Sequence, residues 1–169
     1  MVTIKEKAVN RVALPERVLQ FGEGNFLRAF IDWMLHRMNS EGLFNGETVV
    51  VQPLEDGLVD LLNEQDGLYT LFLRGIQDGK EINQHELITS ISRGINPYKD
   101  WNAYLETAAN PDMRFVVSNT TEAGIAYVQE ARPQDQCPAS FPAKLTAWLA
   151  ERFRIFDGST ESGLVFLPC

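Results

Sequence analysis

Arg17-Val18-Leu19-Gln20-Phe21-Gly22-Glu23-Gly24-Asn25-Phe26-Leu27-Arg28-Ala29-Phe30 is the stretch on which the fold turns. A short β-prone run from Arg17 to Phe21 meets two glycines around Glu23, and a helical pattern opens at Asn25. Phe26, Ala29, Phe30, Trp33, Met34 and Met38 recur at three- and four-residue spacing to about Ser40. That spacing predicts one long helix with these residues on a single face. Asn39, Ser40 and Gly42 stop it. Beyond lies Thr48-Val49-Val50-Val51-Gln52, closed by Pro53 and lacking any alternation. Such a strand is buried on both faces, as in a parallel sheet. Strand, helix and strand in this order form a right-handed βαβ unit.

Working outward, 68–76 and 80–88 are β-prone runs joined through Gln77-Asp78-Gly79. Asp-Gly between such runs signals a hairpin, an antiparallel excursion from the parallel core. Asn96-Pro97 opens a helix carrying Trp101, Tyr104 and Leu105, and 114–118 reads as another buried strand. A polar loop runs from about Glu130 to Ser140. Pro142 suits a helix's first turn, with Leu145, Trp148, Leu149 and Phe153 as the buried face until Gly158. Leu164-Val165-Phe166-Leu167 forms the last strand. There is no repeat, low-complexity segment or linker. The expectation is a single α/β domain over 1–169, a mainly parallel sheet with helices on both faces and a hairpin insertion.

Composition narrows the function. The 169 residues are 44% hydrophobic and 22% charged, enough to bury a core. A disordered tail, a coiled coil and a disulfide-stapled miniature are excluded. Lysine plus arginine number 15 against 23 acidic residues, a net charge of −8, which argues against a nucleic-acid partner. Small anions remain possible, because backbone N–H groups can hold them. Cys137 and Cys169 offer no metal spacing and no disulfide framework, and His36 and His85 are far apart in sequence. No metal site is expected. The N-terminus alternates apolar and charged residues, with no signal peptide, and no run approaches the ~20 apolar residues of a membrane span. A soluble, cytoplasmic protein without membrane partners follows.

Gly22-Glu23-Gly24 stands where a dinucleotide-binding turn belongs, after the first strand and before the first helix. The third glycine of the usual fingerprint would fall at Leu27, so a plain tight turn is the competing reading. Arg28, early in the helix, opposes the helix dipole unless a phosphate or carboxylate offsets it. Extension into solvent, or pairing with Glu23 or Asp32, would serve equally. The second strand ends at Gln52 where an acidic residue usually meets the adenosine ribose. Glu55 and Asp56 follow without any basic residue, which favours NAD over NADP. Ser118-Asn119-Thr120-Thr121-Glu122-Ala123-Gly124 follows a buried strand, where short polar groups can hold ribose or carboxamide. Asn119 and Glu122 also have the spacing of a helix capping box.

Together, 20–30, 118–124, Phe141-Pro142-Ala143-Lys144-Leu145-Thr146 and Leu167-Pro168-Cys169 closely resemble the long-chain mannitol dehydrogenase family, in its sugar-acid branch. The resemblance spans nearly the whole chain. It implies a Rossmann-like NAD-binding domain with Val18 to Ala29 as the cofactor strand–turn–helix, and a family turn that carries a bulky residue at position 27. The implied cofactor-binding residues are Phe21, Gly22, Glu23, Gly24, Asn25, Phe26, Leu27 and Arg28, with Gln52, Asn119 and Thr120. It also implies NAD-dependent interconversion of D-tagaturonate and D-altronate, a small sugar-acid pair. The lysine, asparagine and histidine of catalysis lie beyond position 169 in this family, in a helical second domain. No catalytic residue is therefore carried onto this chain, which alone is expected to be inactive and prone to self-association. A stand-alone NAD-binding sensor is the alternative.

Overall fold

The computed structural model describes residues 11–127 and 136–168. The alternating N-terminus, much of the polar loop and Cys169 lie outside the described residues. Five parallel strands form the main sheet: β1 (Glu16–Phe21), β2 (Glu47–Val51), β5 (Ile91–Ile95), β6 (Phe115–Ser118) and β7 (Val165–Pro168), in the order β5-β2-β1-β6-β7. β1 pairs with β2 on one side, Phe21 opposite Val51, and with β6 on the other, Phe21 opposite Ser118. The chain therefore leaves β1 toward one half of the sheet and later returns to its other side. That reversal opens a crevice at the carboxyl ends of β1 and β6.

Alternate residues of the buried strands serve opposite layers. Leu19, Phe21, Val49, Val51 and Val116 pack with Trp101, Tyr104 and Trp148 of α4 (Trp101–Glu106) and α5 (Phe141–Ile155). Val18 and Val117 face the opposite way, against Leu27 and Leu35. Helices thus cover both faces, as the unalternating valines require.

β3 (Tyr69–Gln77) and β4 (Lys80–Ile88) form the separate antiparallel hairpin. Its two-residue turn places Asp78 at φ 51° and Gly79 at φ 73°, the double positive φ that the strands' twist demands. Two elements escaped the sequence reading, α3 (Val59–Glu64) and β5. Only Thr89 and Ser90 separate β4 from β5, so the β-prone runs merge, and the Ile-Ser-Arg-Gly-Ile of β5 is a weak strand by composition. Gly94 lets α3 lie against this strand. A Cβ there would sit 2.8 Å from Val59 Cγ1. Gly94→Ala is expected to destabilise the domain by ~1–3 kcal/mol through overpacking, read by urea unfolding. Unchanged stability would show that α3 shifts freely.

The single long helix is corrected. Residues 25–40 fold as α1 (Asn25–Ala29) and α2 (Ile31–Ser40), broken at Phe30, whose φ of −116° and ψ of −71° leave the helical run. Beside the break, the Tyr69 hydroxyl donates to the Arg28 carbonyl at 2.5 Å, a side chain competing for a helical carbonyl. The buried face is also corrected, because Leu27, Asp32 and Leu35 point to the sheet while Phe26, Phe30 and Met38 are exposed. Phe26 and Phe30 instead stack on each other, centroids 5.5 Å apart.

In α5, Pro142 takes its place in the first turn and Ser140 caps the helix by accepting from the Ala143 N–H. Phe153 is exposed, contrary to its expected burial, and Arg152 is buried in its stead. The guanidinium holds that place by donating to Ala108 O at 3.0 Å and to Asn110 O at 2.9 Å, the latter also accepting from Met113 N. Among the described residues no helix is long and apolar enough to cross a membrane.

Candidate functional site

β1 delivers the chain to the crevice at Phe21, buried with its ring edge-on to Phe141 at 4.9 Å. Gly22 then turns at φ +120°, a region that L side chains rarely adopt, while its N–H donates to Val51 O at 3.0 Å. This glycine is explained by its backbone. Gly24 is not. Its φ of −67° and ψ of 162° suit any residue, and a Cβ added there meets no atom within 4 Å. The glycine keeps open space at the mouth of the turn, into which a ligand's backbone-bound group can come close.

Gly24 is also the N-cap of α1, and no side chain caps that end. The first helical bond runs from Arg28 N to Gly24 O at 3.2 Å. The amides of Asn25, Phe26 and Leu27 precede it, in the positions whose N–H groups lack an intrahelical acceptor. With only five residues in α1, these oriented amides rather than a long helix dipole supply the attraction for an anion. Leu27, at the missing third glycine, is 2% exposed and fills the space between turn and sheet, packed with Val18, Leu35 and Val117.

Arg28 resolves among its alternatives. Its Nη2 donates to Asn25 Oδ1 at 2.7 Å and its guanidinium lies 5.5 Å from the Tyr69 ring centroid. It forms no ion pair with Glu23 or Asp32 among the described residues. Gln52 is also placed otherwise than its position suggested. Its side chain is buried, with Nε2 donating to Leu54 O and Glu55 O, both at 2.9 Å, and Oε1 accepting from Val59 N at 3.2 Å. Both amide atoms bond within the loop after β2. Asn119 is exposed at the end of β6, next to the turn, and Thr120 is half-buried. The capping box fails: the turn Glu122–Ile125 is a single 3₁₀ turn capped at Thr121 with no side-chain bond. The asparagine is thus left open to the crevice.

Asp32, weighed in the sequence only as a partner for Arg28, has a different place. Asp32 is fully buried under the turn, and Gln20 bridges the two, its Nε2 reaching Gly22 O at 3.1 Å and Asp32 Oδ2 at 3.1 Å. Burial pushes the Asp32 carboxyl up to about 7, against the opposing pull of Gln20, Thr48 and Arg28. A lone amide in an otherwise apolar strand, and an acid four residues after Arg28 on an apolar helix, were the available signals. His36 and His85 stand away from the crevice. His36 lies on α2, near Thr89 and Glu86, and His85 faces Phe72 in the hairpin.

Residues 16–169 match the family described as mannitol dehydrogenase Rossmann domain. The altronate oxidoreductase of Halalkalibacterium halodurans is 55% identical over 157 residues, covering 92% of this chain and 31% of its own length. That of Bacteroides thetaiotaomicron is 46% identical over 169 residues, covering all of this chain and 35% of its own length. The chain therefore spans about a third of the length of these relatives. Mannitol 2-dehydrogenase of Pseudomonas fluorescens, solved as a ternary complex with NAD and D-mannitol, superposes with a TM-score of 0.74 at 20% identity, over 92% of this chain and 34% of that one. An order β5-β2-β1-β6-β7 with a glycine turn at its switch point is the Rossmann arrangement, and the chain belongs to the mannitol dehydrogenase family as its Rossmann domain.

Proposed function

We propose that this domain binds NAD(H) at 21–28 and that the protein it belongs to interconverts D-tagaturonate and D-altronate, in the cytoplasm. The observation that carries the cofactor reading is Gly24, a glycine demanded by no contact or torsion of the protein itself. The residues present fit the cofactor: an uncapped turn, open space above Gly24, and polar groups of Asn119 and Thr120 on the far side of the crevice. When bound, NAD supplies or accepts the hydride. The turn's amides would hold its pyrophosphate, and Gln20 and Asp32 brace the turn from below. Asn119 would orient the nicotinamide end across the switch point. The family resemblance assigns catalysis to a lysine, an asparagine and a histidine of a helical second domain, and such a domain is the proposed source of the proton donor.

The substrate reading is supported by relatives 45–55% identical that are named altronate oxidoreductase. Their names also favour an enzyme over a stand-alone sensor. The test is NADH oxidation by the full-length product of the reading frame that encodes this chain. Oxidation with D-tagaturonate is expected at least about a hundredfold faster than with D-fructose, since a pocket built for a carboxylate discriminates strongly against its absence. Equal rates would contradict the substrate. The isolated 169-residue chain is expected to give no measurable turnover, forfeiting the ~10²–10⁴-fold contribution of general acid catalysis and the orientation of substrate besides. Turnover within tenfold of the full-length protein would contradict that.

Self-association of the isolated chain is also expected. β7 borders the sheet with Val165 and Phe166 exposed, apolar surface that favours association. Size-exclusion elution that does not change with concentration would contradict it.

A further inference from the structure

We infer that Glu23, within the glycine turn itself, is the residue that selects NAD over NADP. This rests on the turn being the NAD site. In the usual arrangement an acidic residue at the end of the second strand receives the adenosine ribose hydroxyls. Here that position is Gln52, whose amide is fully engaged by the loop it folds. Glu55 and Asp56 are exposed on that loop, and the backbone carbonyl of Glu55 is already bonded to Gln52 and, at 3.3 Å, to Asn96.

Glu23 reaches the vacant role from the other side. Its Oε1 lies 3.4 Å from Leu58 N, over the loop beyond β2. A Cβ at Gly57 would fall 2.3 Å from this same oxygen, so Gly57 makes room for the carboxylate. The second oxygen makes no hydrogen bond among the described residues. The carboxylate thus stands between the turn, which takes the pyrophosphate, and the loop after β2. The adenosine ribose, joined directly to the pyrophosphate, must pass through that interval. A ribose diol offers O–H donors to a carboxylate in charge-assisted bonds. A 2′-phosphate brings two negative charges and no such donor. Arg28 lines the same hollow as Glu23, with its guanidinium committed to Asn25 Oδ1 and the Tyr69 ring. Glu23 therefore both accepts the diol and rejects the phosphate.

The experiment is fluorescence titration of the protein with NADH and with NADPH, each variant first checked by thermal denaturation. The wild type is expected to favour NADH by about a hundredfold or more. In Glu23→Gln, NADH binding falls roughly tenfold for the lost charged hydrogen bond, and the preference drops below tenfold. Glu23→Asp, which restores the charge, regains most of the preference. The double variant Glu55→Gln, Asp56→Asn keeps the wild-type ratio. Full preference retained in Glu23→Gln, or lost in the double variant, overturns the inference while leaving the NAD site standing. A wild type that binds neither dinucleotide overturns the site reading itself, and this inference with it.

Discussion

Gly24→Val is expected to abolish NADH binding, lowering affinity roughly a thousandfold, while the fold keeps its stability to within ~1 kcal/mol. The two halves of that expectation come from the same geometry. Valine accepts φ −67° and ψ 162° readily, and nothing lies within 4 Å of the new Cβ. The added Cβ meets no neighbour at the backbone angles already present, and the stiffer unfolded chain offsets a poorer N-cap. It also occupies the space through which a pyrophosphate must come to reach the amides of 25–27. Losing two charge-assisted hydrogen bonds at about 2 kcal/mol each gives ~4 kcal/mol, the thousandfold stated. Titration of NADH fluorescence and the midpoint of thermal unfolding check both halves. Gly22→Val is the contrasting case, since φ +120° strains any side chain there and stability falls with binding.

Asp32→Asn is expected to remove a pH dependence of stability worth up to ~4 kcal/mol. The buried carboxyl titrates near 7 in the folded protein, against an ordinary value of 3.8. Folding therefore favours the protonated form. Its stabilising contribution is complete below pH 4, declines as pH rises toward 7, and is gone above that. Asparagine mimics the protonated acid without titrating. Its carbonyl can keep the Gln20 bond, and its amide can donate toward Thr48 Oγ1, a buried hydroxyl with no other side-chain partner. Urea unfolding at pH 5, 6, 7 and 8 reads the difference between the two proteins. Taking the difference cancels Glu16 and Glu86, whose carboxyls are held below the ordinary value and act oppositely, losing their contribution as pH falls. The variant's advantage is expected to grow steadily to pH 7 and then level off. A difference independent of pH would mean that Asp32 is ionised and satisfied throughout.

The sequence disclosed those parts of the fold that rest on local chemistry. Consecutive valines at 49–51 marked a strand buried on both faces, Asp78-Gly79 marked a two-residue hairpin turn, and Gly22 stood where positive φ was needed. Where tertiary contacts decide, the reading failed. The apolar spacing of Phe26, Phe30 and Met38 is genuinely helical, but the break at Phe30 turns that stripe outward and buries Leu27 and Leu35 instead. Nothing local announces that break, because the Tyr69 hydroxyl beside it lies 41 positions away. Phe153 likewise yielded its inward place to Arg152, whose burial makes sense only beside the carbonyls of Ala108 and Asn110 that it bonds. At the site, the glycine turn was legible as a motif. The engagement of Gln52 by its own loop and the reach of Glu23 toward Gly57 were not, since both depend on how residues 53–58 fold back over β2.

Amide hydrogen exchange with and without NADH addresses the central claim most directly, because it locates the cofactor without altering a residue. Binding at the switch point predicts slowed exchange at the amides of 23–28 and at Asn119 and Thr120, across the crevice, with the hairpin at 69–88 unaffected. Protection confined to the hairpin or to α5, with the glycine turn exchanging as before, would contradict it.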